Sequence, residues 1–280
     1  MNPIDAICMA SRNCFDYYKM GNEFGGIGPG KIADILILDD YKKIKINKVI
    51  LGGKIVVSDG KLVQQLHTPK VPAWMQKTVK IPKLYPKFFN VNSKNTDETV
   101  NTILMKTEIV TQKNTSNLDV KDSNVVASYD KDIWKVAALD RTFGSKTHAV
   151  GFLENFGADV GAFASTWSFH ENDMIVIGSN ERDMADAANK LVKSQGGLIV
   201  VKNGKTLASL PFQMGGIIST DKIDKVTKNF TKINNVLLDS GCKFKKPHLI
   251  PLFLPFLALP DIRILYSGIV DVKARKFISP

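Results

Sequence analysis

A metal or nucleophilic centre would have to be drawn from four histidines and three cysteines. His67, His148, His170 and His248 stand far apart in the chain. None lies two, three or four residues from another. The sequence therefore contains neither a His-x-His pair, which a strand would point to one side, nor a His-Glu-x-x-His pair, which a helix would. Cys8, Cys14 and Cys242 are odd in number, share no Cys-x-x-Cys spacing, and read as free thiols of a reducing compartment. Two glycine runs, Gly25-Gly26-Ile27-Gly28 and Gly215-Gly216, invite comparison with phosphate loops. Neither follows a strand and opens a helix with the required lysine in place, so both read as tight turns.

The elements that would position any site follow from periodicity and punctuation. Asn2-Pro3, with Asp5 in the first turn, opens a helix expected to run to about Tyr18 and to stop before Gly21. Ile35 to Leu38 is an apolar strand, Val49 to Val57 turns through Gly52-Gly53, and Asp59-Gly60 leads into Lys61-Leu62-Val63. Prolines at 69, 72, 82 and 86 forbid long regular elements there and predict a surface connection. Polar stretches at 92–101 and 112–124 read as turns around one strand, 103–111. Strands are expected at 134–139, 149–153, 161–167 and 174–177, then a helix at 181–194 and a hairpin around Asn203-Gly204. Thr220-Asp221 is expected to cap a second helix with apolar positions from Ile223 to Leu238. The boundary between the halves is placed near 85–100. Two main helices on a mostly antiparallel sheet make the C-terminal part an α+β domain.

Composition excludes several classes. The 280 residues are 44% hydrophobic, as in soluble globular proteins. No apolar run reaches the roughly 20 residues of a membrane span. The best candidate, 249–259, is interrupted by Pro251 and Pro255. No signal peptide is evident, so the expected location is the cytoplasm. The net charge of +11 is almost wholly lysine, with only five arginines. Because lysines are scattered and do not alternate with aromatics, a solvated surface is expected rather than a nucleic-acid interface.

The run from Gly25 to Asp39, a glycine-rich turn, Pro29-Gly30-Lys31 and an apolar strand ending in acid, resembles the point where amidohydrolases leave their metal-bearing barrel. Three further stretches resemble the adenine deaminase family. They are Lys135 to Arg141 with Gly161 to Thr166, Gly196 to Val201 through Leu210-Pro211-Phe212 to Ser219, and Phe256 to Arg263 with Gly268 to Val272. The likeness covers nearly the whole chain.

This resemblance implies a domain order: residues 1–20 as the last helix of a (β/α)₈ barrel, 21–90 as a small β unit with its Pro-rich connection, and 91–280 as the family's C-terminal α+β domain. It implies hydrolysis of adenine to hypoxanthine and ammonia by a metal-activated hydroxide, with Mn or Fe held in a barrel absent from these residues. The chain itself is then expected to bind no cofactor and to be inactive alone. Its expected partners are the missing barrel portion, adenine as the substrate of the whole enzyme, and other copies of itself in a homo-oligomer. The alternative is a non-catalytic assembly module that complements a separately encoded barrel. Where the family carries a His-Asp-Ser-His-Asn-like stretch, this sequence has Ser168-Phe169-His170-Glu171-Asn172-Asp173. His170, Glu171 and Asp173 are candidates for the wall of the purine pocket, although Glu-Asn-Asp is also ordinary turn chemistry. Arg141 is a candidate ligand anchor or simply the partner of Asp140 or another acid. Trp167 is a candidate purine stacker or a packed tryptophan at a strand end.

Overall fold

Asn2 Oδ1 accepts from the Ile4 N–H at 3.0 Å, and Pro3 takes the first helical position, which starts helix α1 (Pro3–Ala10) where the sequence places it. The expected single helix breaks at Ser11, and α2 (Arg12–Tyr17) follows separately. Ser11 Oγ donates to the Ile7 carbonyl at 2.6 Å, a local bond that competes with the helical ladder. The structure, a computed structural model, describes residues 1–63, 70–169, 171 and 173–280. Its contacts divide the chain into two units, Met1–Lys70 and Val71–Pro280.

In the first unit, strands β1 (Ile35–Asp40), β2 (Lys45–Leu51), β3 (Lys54–Ser58) and β4 (Lys61–Leu62) form an antiparallel sheet in chain order. Gly52 and Gly53, with φ of 53° and 76°, supply the left-handed backbone for its tight turn. Phe15 stacks on Phe24 with centroids 5.0 Å apart, and Lys31 Nζ donates to the Gly21 and Phe24 carbonyls.

The second unit is built on a nine-stranded sheet. Its strands are β5 (Asp97–Met105), β6 (Thr111–Lys121), β7 (Asn124–Val125), β8 (Ile133–Asp140), β9 (His148–Glu154), β10 (Ala162–Ser165), β11 (Asp173–Gly178), β12 (Gly197–Lys202) and β13 (Lys205–Pro211). They lie in the order β13-β12-β10-β11-β8-β9-β5-β6-β7. Only β5 and β9 are parallel neighbours among the described pairs. The polar stretch 112–124, expected as turns, is instead mostly β6, paired with β5 from Met105↔Thr111 to Asp97↔Asp119. A strand near a sheet edge keeps one face in water, so its composition mimics a loop while its backbone bonds to a neighbour.

Helices α3 (Glu181–Ser194), α4 (Ile223–Asp239) and α5 (Ile250–Phe253) cover the sheet, with a small antiparallel sheet of β14 (Ile262–Leu265), β15 (Gly268–Asp271) and β16 (Lys276–Ile278). Alternate residues of β8 face opposite layers. Trp134, Val136 and Ala138 join a core with Ile233 and Leu237 of α4, Ile250 of α5 and Ile264 of β14. Ala137 and Leu139 join another core with Met184, Ala188 and Leu191 of α3 and with Val79, Ile81 and Phe89. Burial on both faces is why the central strands are continuous apolar runs. Asn180 caps α3 by accepting from the Asp183 N–H at 2.9 Å. The residue preceding α4 is Lys222, with no side-chain cap, so Thr220-Asp221 does not cap it; Asp221 instead pairs with Lys225 at 2.9 Å.

Candidate functional site

Antiparallel pairing brings several strand ends to one end of the large sheet. Asp140 at the end of β8 lies opposite Asp173 at the start of β11. Ser165 at the end of β10 lies opposite Leu198, next to the start of β12. Arg141, Thr166, Trp167 and Gly197 therefore emerge together at this end.

The loop carrying Gly215-Gly216 is fixed onto it. Thr166 Oγ1 donates to the Gly216 carbonyl at 2.6 Å and accepts from the Gly197 N–H at 2.7 Å. Arg141 Nη1 donates to the Gly215 carbonyl at 3.1 Å. Both glycines have positive φ, 65° and 75°, and a Cβ on Gly216 would meet Arg141 Nη1 at 2.7 Å. From a third side, the Gly215 N–H donates to the Met75 carbonyl and the Lys80 N–H to the Arg141 carbonyl, each at 2.8 Å.

The two facing carboxyls have opposite environments. Asp140 accepts from the N–H groups of Thr142, Phe143 and Ser145 and from the Ser145 hydroxyl. Burial would raise its pKa, but these donors hold it below the usual carboxylate value. Asp173 is 1% exposed. Its Oδ2 accepts from the Tyr266 N–H at 3.2 Å, whereas Oδ1 has no hydrogen-bond partner among the described residues. Burial pushes its pKa up to about 7; the like charges of Glu171 and Asp140 add to the rise, and the Tyr266 N–H and Arg141 oppose it. Two neighbouring carboxyls are thereby separated into an ionised acceptor and a proton carrier near neutrality. Arg141 is lowered from its ordinary value by burial, against the favourable charge of Asp173.

The other candidates are placed as follows. Trp167 is half-buried and meets Phe230 and Phe212 at inclined angles, with centroids 5.5 and 6.4 Å away. Glu171 Oε1 accepts from the Leu257 N–H at 3.4 Å. His170 lies outside the described residues, as does His67. His148 is exposed and stacks on Phe88, and His248 Nδ1 lies 3.0 Å from Asn234 Oδ1. Among the described residues, no three His, Cys, Asp or Glu side chains group as a cation would require. The three cysteines are free thiols, and burial raises that of Cys242 to about 11.

Residues 108–276 match the family described as Adenine deaminase C-terminal domain. The chain belongs to this family. It is 52% identical over 277 residues to an adenine deaminase of Cenarchaeum symbiosum, covering 99% of this chain and 46% of that protein. Similarity to adenine deaminases extends to Desulforamulus reducens, at 32% identity over 99% of this chain and 48% of that protein. For Clostridium botulinum strain 657 it is 30% over 100% and 47%. The chain thus spans about half the length of the curated relatives it matches.

The matched stretch contains every residue of the sheet-end cluster except those contributed by 75–80. Sequence reasoning singled out Arg141, Glu171 and Asp173 but gave no role to Thr166 or the Tyr266 N–H. Thr166 sits inside a quoted family stretch, which was a signal available in the sequence. The Tyr266 contribution is a backbone group and leaves no trace in residue type. Among the described residues, no helix is long and apolar enough to cross a membrane.

Proposed function

We propose that this chain acts as the C-terminal portion of an adenine deaminase, a hydrolase converting adenine and water to hypoxanthine and ammonia. The observation that carries this reading is the family match over 108–276, together with adenine deaminases aligned along essentially the whole chain. A divalent metal, Mn or Fe, would supply an activated hydroxide from a barrel portion outside these residues, in the same polypeptide or a separate one. The residues described here give no fit for such a metal, and no step is assigned to one in this chain.

This portion braces the catalytic part and presents the sheet end as a wall of the purine pocket. Arg141 and Thr166 hold the Gly215-Gly216 loop rigid. Asp173, with its pKa near neutrality, lies buried behind this wall as a group able to hold or release a proton. Trp167 bounds the same face with an aromatic edge. The reaction is assigned to the cytoplasm, with no nucleic-acid partner.

Adenine-dependent ammonia release, with Mn²⁺ or Fe²⁺ present, tests the reading. The purified chain is expected to be silent alone and active when mixed with the remaining portion of the Cenarchaeum symbiosum relative. Activity by the chain alone would show a metal site among its own residues. A stable mixture that never releases ammonia would leave the chain as an assembly module without the deaminase role.

A further inference from the structure

The sheet end is polar in its buried layer and apolar on its surface. Trp74 is 75% exposed, Phe143 78% and Ile218 47%, with Phe169 and Leu257 also exposed. Hydrogen bonds tie their segments together. The Gly215 N–H bonds to Met75, next to Trp74, and Met214 exchanges backbone bonds with Ile218. Arg141, two residues before Phe143, bonds to Gly215. Phe169 packs on Phe253 and Phe256, beside Leu257, whose N–H reaches Glu171. Between them these five side chains expose on the order of 500 Å² of surface, on segments that the hydrogen bonds hold at the same end of the sheet.

A second observation concerns the layer beneath. Ser168 Oγ and Asp173 Oδ1 are buried without a hydrogen-bond partner among the described residues. Native interiors rarely leave such atoms unsatisfied, and here both fall at the same end. An end whose surface is apolar and whose buried polar groups are incompletely paired has the character of a face completed by another body.

We propose that this sheet end, with Trp74, Phe143, Phe169, Ile218 and Leu257 as its apolar contacts, is the surface on which the other half of the deaminase docks. The inference rests on the proposed deaminase role and names the face through which that role is exercised. The choice of occupant follows from length: relatives aligned along 99% of this chain have only 46–48% of their own length matched, leaving a comparable body to be accommodated. The docked half then covers the apolar surface that overlies the already buried Arg141, Thr166 and Asp173.

The test is calorimetric titration of the 280-residue chain with the remaining portion of the Cenarchaeum symbiosum relative, with ammonia release followed in parallel. Phe143→Glu and Ile218→Glu are each expected to weaken binding at least tenfold with a nearly unchanged melting temperature, since Phe143 is largely and Ile218 about half in solvent. Tyr129→Glu is the control. Tyr129 is 61% exposed and lies just before β8, whose far end carries Asp140, and its change should leave the affinity within twofold. Equal affinity for wild type and both sheet-end variants, or no binding by the wild-type chain, overturns the interface. So does concentration-dependent dimerisation of the chain alone that Phe143→Glu abolishes, because the occupant would then be a second copy. Binding that depends on the sheet end without ammonia release keeps the interface and removes the deaminase role. Ammonia release unaffected by the variants does the reverse.

Discussion

Asp140 and Asp173 face each other across two strands, and only one of them has donors enough to stay ionised. Asp173 binds a proton in the folded state up to about pH 7, whereas an unfolded aspartate releases it near its ordinary value of 3.8. The folded state therefore holds more protons than the unfolded state between those limits, and stability falls as pH rises through that window. The full difference corresponds to a loss on the order of 4 kcal/mol by pH 8 relative to pH 3. Thermal melts from about pH 5 to pH 8 should show a decline in wild type that Asp173→Asn removes, since an amide does not titrate there. An identical slope in the variant would assign the decline to other groups. Arg141 belongs to the same balance. Arg141→Met removes a positive charge that holds the Asp173 pKa down, so the carboxyl carbon should titrate at higher pH by NMR, whereas a lower value would contradict the electrostatic account.

At the scale of elements, α3 is pinned to the sheet by a buried cation. Lys135 Nζ, on β8, donates to Glu181 Oε1 at 2.6 Å, Asn124 Oδ1 at 2.8 Å and the Phe89 carbonyl at 3.0 Å. One side chain thereby joins a central strand, the edge strand β7, the start of α3 and the segment before β5. Removing one partner of a buried pair typically costs about 3–5 kcal/mol, so Lys135→Ala should lower stability by about that amount in denaturant titration. A change below about 1 kcal/mol would mean that water replaces the ammonium. The Gly215-Gly216 turn makes a second element-scale prediction. Gly216→Ala imposes a strained positive φ and a close approach to Arg141 Nη1, and should cost about 1–2 kcal/mol while reducing ammonia release in the complemented assay. These elements were unequally legible. α3 has helical periodicity and an asparagine cap, so its limits of 181 and 194 follow from the sequence. β6 was missed because polar residues satisfy a strand near a sheet edge, with one face in water, as well as a loop.

For the whole molecule, the hydrophobic clusters draw their residues from position 79 onward. Residues 71–280 expressed alone should therefore fold, with a single cooperative transition close to that of the full chain by circular dichroism. Residues 1–70 have Val56 as the one buried large aliphatic among those described, while Ile4, Met9, Tyr17 and Ile27 are exposed. Expressed alone, they should lack a cooperative melt, because so little apolar surface is withdrawn from water. A sharp transition in that fragment would show that the small β sheet is self-sufficient.

The sequence by itself determined the family, the α+β class and most strand and helix limits of the second unit. Turn residues, caps and apolar periodicity are local properties, and a chain carries them in order. It also determined that the histidines have no metal-ligand spacing, a fact of position alone. The tertiary structure decided which strand ends meet. Arg141, Thr166, Asp173 and Tyr266 are separated by up to 125 residues and acquire a common location only through the strand order of the large sheet. It decided the ionisation of the two aspartates as well, because burial and donor count are properties of the packed environment, and residue type is the same for both.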